Sequence, residues 1–98
     1  MDIYDDKYPN LASLLGGYFH QDFDIHGDTL EEIVGLYRKE GTQAEIDGLR
    51  KDIQKFLAAF DDAHIKSAFV RIFHPDIDSE GWGLSVREWL LKINELLA

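Results

Sequence analysis

The stretch TQAEIDGLRKDIQKFLAAF, from Thr42 to Phe60, decides the fold class. Its apolar residues Ile46, Leu49, Ile53, Phe56, Leu57 and Phe60 fall three or four apart. That spacing lays them along one face of an α-helix for about four turns. Thr42 and Glu45 mark its start, because a hydroxyl at the cap accepts from the third amide while a carboxylate at that third position reaches back to the cap amide. The same grammar extends in both directions. Upstream, Thr29 with Glu32 opens a helix whose stripe is Leu30, Ile33, Val34 and Tyr37; Arg38 and Lys39 suit the negative end of its dipole, and Gly41 is expected as a left-handed stop. Further upstream, Pro9 and Asn10 precede Leu11, Leu14, Leu15 and Tyr18, which predicts a helix over roughly 9–20. Gly16 and Gly17 within it imply a close packing contact or a break there.

Downstream, Asp61 or Asp62 caps a fourth helix with Ile65, Phe69, Ile72 and Phe73 inward, and Pro75 forces its end. Ser85 with Glu88 repeats the box and opens a last helix with Val86, Trp89, Leu90, Ile93, Leu96 and Leu97 inward. No segment sustains period-two alternation. The reading is an all-α fold, a compact single-domain bundle of about five helices over residues 1–98.

Composition bounds the function. With 98 residues and 45% hydrophobic content, the chain can build one core and not two. It has no cysteine, which excludes disulfides, Cys-type zinc sites and thiol nucleophiles. No run approaches the roughly 20 apolar residues of a membrane span, and the start MDIYDDKYPN lacks a signal-peptide pattern, so a cytoplasmic location is expected. Ten Lys and Arg stand against 19 Asp and Glu, a net charge of −9. Residues 1–32 hold eight acids and one base, residues 33–75 six and seven, and residues 76–98 five and two. This balance disfavours direct nucleic-acid binding and favours a basic protein partner, although acidic surfaces also serve solubility alone.

Several motifs bear on chemistry. His20, Asp22, Asp24 and His26 alternate in HQDFDIH, so an extended backbone would put four zinc or manganese ligand types on one side. The stretch joins two helices, however, and Asp24 or Asp28 serves equally well as a cap. DIDSEG, from Asp76 to Gly81, matches the opening of an EF-hand loop, but Gly83 stands at its eighth position and Arg87 at its twelfth, where a bidentate Glu belongs. His20, His26, His64 and His74 with Ser13, Ser67, Ser79 and Ser85 specify no catalytic geometry, and no GxSxG, HExxH or phosphate-cradling loop occurs. No metal, no cofactor and no enzymatic activity are therefore expected. Among the aromatics, Trp82, between Gly81 and Gly83, stands out as either an anchor for a partner or a lid on the bundle.

Two strings, YPNLASLLGGYFHQDFD from Tyr8 to Asp24 and GLSVREWL from Gly83 to Leu90, resemble the immunity proteins of bacterial contact-dependent growth inhibition systems. The resemblance implies a cytosolic protein that binds and neutralises the C-terminal toxin domain of its cognate effector, often a ribonuclease or other nuclease, as a 1:1 heterodimer and without chemistry. On charge, the interface is expected at Asp22, Asp24, Asp28, Glu31 and Glu32, with Asp76, Asp78, Glu80 and Trp82 as a second patch. His20 and Gln21 are assigned to bracing the exit of the first helix, because motifs shared among inhibitors of different toxins should mostly encode the fold. The alternatives are a helical adaptor for another basic protein and a small metal-binding enzyme built on the HQDFDIH run.

Overall fold

The computed structural model describes residues 7–19, 29–73 and 83–98, and among these it contains five helices and no strand. They are α1 (Pro9–Tyr18), α2 (Leu30–Glu40), α3 (Gln43–Ala59), α4 (Ile65–Phe73) and α5 (Val86–Leu97). Local chemistry sets most of the starts. The Thr42 hydroxyl accepts from the Glu45 amide at 3.1 Å while Glu45 Oε1 accepts from the Thr42 amide at 3.0 Å. Ser85 and Glu88 exchange the same pair of bonds at 3.2 and 3.0 Å. Thr29 accepts from the Glu32 amide at 3.2 Å. Each such cap satisfies an amide that the helix itself leaves unpaired, typically stabilising it by about 1 kcal/mol.

Of the two candidates for the fourth cap, Asp61 takes the role. Its Oδ1 accepts from the His64 amide at 3.0 Å and meets His64 Nδ1 at 2.6 Å, and the bond to the His64 ring holds the carboxyl below the usual range. Asp62 instead binds the Arg87 guanidinium.

The start of α1 is different. Tyr8 occupies its cap position and makes no side-chain cap bond. The missing acceptor comes from 42 residues away: Asp52 Oδ2 on α3 accepts from the Asn10 amide at 2.8 Å and from the Leu11 amide at 3.2 Å. Pro9 leaves no amide to satisfy, and the positive end of the α1 dipole favours the carboxylate. Asp52 is only 7% exposed, so this bond is both a cap and the partner that makes burial of the charge tolerable. Gly48, one turn earlier, admits the close approach, since a Cβ there would lie 2.3 Å from Asn10 Nδ2.

Helix α3 is the spine, packed by α1 on one side and α5 on another, while α5 also touches α2 and α4. Leu11, Leu14, Ile33, Leu49, Ile53, Phe56, Trp89, Leu90 and Ile93 are completely buried between them. Burial of each such side chain stabilises by roughly 1.5–3 kcal/mol. Tyr18, Leu57, Phe60, Phe73 and Leu96, predicted to face inward, lie half-buried at the margin of this core.

Three local expectations need correction. Helix α1 ends at Tyr18, short of residue 20, because Phe19 leaves the helix and turns its ring against Trp89 at 5.0 Å. Gly16 and Gly17 neither break α1 nor sit against a neighbour; both are exposed, and a Cβ at either would meet nothing within 4 Å. Gly41 is not left-handed. Its φ of −86° and ψ of 160° are extended, which leads straight into the extended cap residue Thr42. The glycine has a steric reason instead, since a Cβ would meet the Tyr37 carbonyl oxygen at 3.0 Å.

Candidate functional site

Charge separates cleanly between the described helices and the rest of the sequence. Residues 7–19, 29–73 and 83–98 carry all ten Lys and Arg and ten of the 19 acids, so they are neutral. The 24 residues at 1–6, 20–28 and 74–82 hold nine acids and no Lys or Arg, and therefore the whole net charge of −9. Three aromatic residues close in sequence to these stretches, Tyr8, Phe19 and Phe73, belong to one chain of ring contacts. Tyr8 lies 5.9 Å from Phe73, Phe73 5.6 Å from Phe69, Phe69 5.9 Å from Trp89, and Trp89 5.0 Å from Phe19. The Tyr8–Phe73, Phe69–Trp89 and Phe19–Trp89 pairs are edge-on, the arrangement that ring quadrupoles favour.

Of the residues expected at the interface, the described helices hold Glu31 and Glu32. Both are exposed in the first turn of α2, where the dipole also favours acids. Glu31 meets Lys92 of α5 at 3.4 Å, and its carboxyl is held below the usual range by its own amide first and by Lys92 second. Asp22, Asp24, Asp28, Asp76, Asp78, Glu80 and Trp82 lie outside the described residues, as do the HQDFDIH and DIDSEG runs with their metal-ligand residue types. Among the described residues, no cluster of three or more His, Asp or Glu has a metal-holding arrangement, and no helix is long and apolar enough to cross a membrane.

The structure adds a groove that the sequence reading did not assign. It encloses about 410 Å³ between the α3–α4 turn and the start of α5, and is lined by Asp62, Ile65, Ser85, Arg87, Glu88 and Leu91. Arg87 is pinned in its wall: besides Asp62, its Nη2 donates to the Phe60 carbonyl at 2.6 Å and its Nη1 to the Leu57 carbonyl at 3.4 Å, closing the C-terminal end of α3. One signal was available, since Leu91 falls off the inward stripe of its helix.

A family model described as CdiI immunity protein matches residues 7–97. The chain belongs to that family. Among solved structures, it is similar to one chain of the crystal structure of the CdiA-CT/CdiI complex from Y. kristensenii 33638, with 26% identity and a TM-score of 0.82 over 94% of this chain and 99% of that one. Nothing among curated proteins matches. The two strings that carried the resemblance have structural work in this immunity protein. Tyr8 packs on Phe56 and Phe73, Leu11 and Leu14 are fully buried, Arg87 closes α3, Glu88 completes a capping box, and Trp89 and Leu90 fill the core. Those residues build the scaffold.

Proposed function

We propose that this immunity protein binds the C-terminal toxin domain of its cognate effector in the cytoplasm, one to one, and neutralises it by occlusion without chemistry. Its acidic residues would stand in for the phosphates of a nuclease substrate, a ribonuclease being the leading case. Membership of the immunity family supports the neutralising role, as does the likeness to a chain from a CdiA-CT/CdiI complex. The observation that supports the electrostatic part is in the sequence: residues 1–6, 20–28 and 74–82 gather nine acids and no Lys or Arg, while the other residues balance ten bases with ten acids. Nuclease clefts gather Lys and Arg to hold phosphates, so such a charge distribution steers association and repels nucleic acid from the inhibitor itself. Buried apolar contacts then slow release.

The test is protection of cells expressing the toxin domain. Reversal to Lys of Asp22, Asp24, Asp28, Glu31 and Glu32 together with Asp76, Asp78 and Glu80 should abolish rescue while the helical circular dichroism persists. Full rescue by that variant would refute the electrostatic mechanism.

A further inference from the structure

We draw no further inference here: the strongest candidate, the groove between the α3–α4 turn and the start of α5 with Leu91 exposed on its wall, carries nothing, because its Asp62 and Arg87 are engaged with each other and nothing in the structure shows what covers its apolar side.

Discussion

The helices and the three stretches between and before them differ in charge as sharply as two unrelated proteins. Residues 7–19, 29–73 and 83–98 balance ten bases with ten acids, many of them committed to caps or to pairs such as Arg87 with Asp62. The stretches at 1–6, 20–28 and 74–82 have nine acids and no Lys or Arg. In this comparison, the described residues supply a core and a set of caps with balanced charge, and the remaining stretches of sequence supply the net charge.

The comparison breaks if helix substitutions spare stability or if charge substitutions in the stretches destroy it. The largest effect should come from Trp89→Ala, which empties a fully buried site touching both Phe19 and Phe69. A loss of about 3–5 kcal/mol is expected, a large part of the stability of so small a domain, read from urea unfolding. Next comes Asp52→Ala. It strips the side-chain cap of α1 and strands the Asn10 and Leu11 amides, for about 2–3 kcal/mol in the same assay. Arg87→Ala should cost about 1–3 kcal/mol by freeing the Phe60 and Leu57 carbonyls. Charge reversals at Asp22 and Asp24 should stay within about 0.5 kcal/mol of wild type.

The smallest effect sharpens the comparison by pH. Tyr18 donates to Glu40 Oε1 at 2.6 Å, and that bond pushes its phenol up to about 12 from 10.0. A raised value means the contribution is complete below pH 10 and fades as pH rises through the folded value. Alkaline absorbance titration should therefore show a late-ionising tyrosine that Tyr18→Phe removes.

The sequence is most legible where a helix carries its own punctuation. Thr42 with Glu45 and Ser85 with Glu88 are local pairs, and both form the predicted boxes. The α1 cap is invisible in sequence because its acceptor lies on another helix; nothing near Pro9 announces Asp52. In the longest helix, Asp52 reads as one more solvated acid between apolar positions. Gly41 misleads for a related reason: its glycine answers a contact with the Tyr37 carbonyl, not a left-handed turn. For the site, Glu31 and Glu32 are legible as exposed acids at a helix start. The Leu91 groove is not, because it depends on how the α3–α4 turn meets α5.

The most direct test of the central claim is the salt dependence of binding to the cognate toxin domain. Wild type would be compared with a variant carrying Asp→Asn and Glu→Gln at positions 22, 24, 28, 76, 78 and 80, its unfolding curve measured in parallel. Wild-type affinity should fall steeply as salt rises, while the neutralised variant should unfold like wild type, bind more weakly and respond much less to salt. Equal affinities with the same salt dependence would contradict the account.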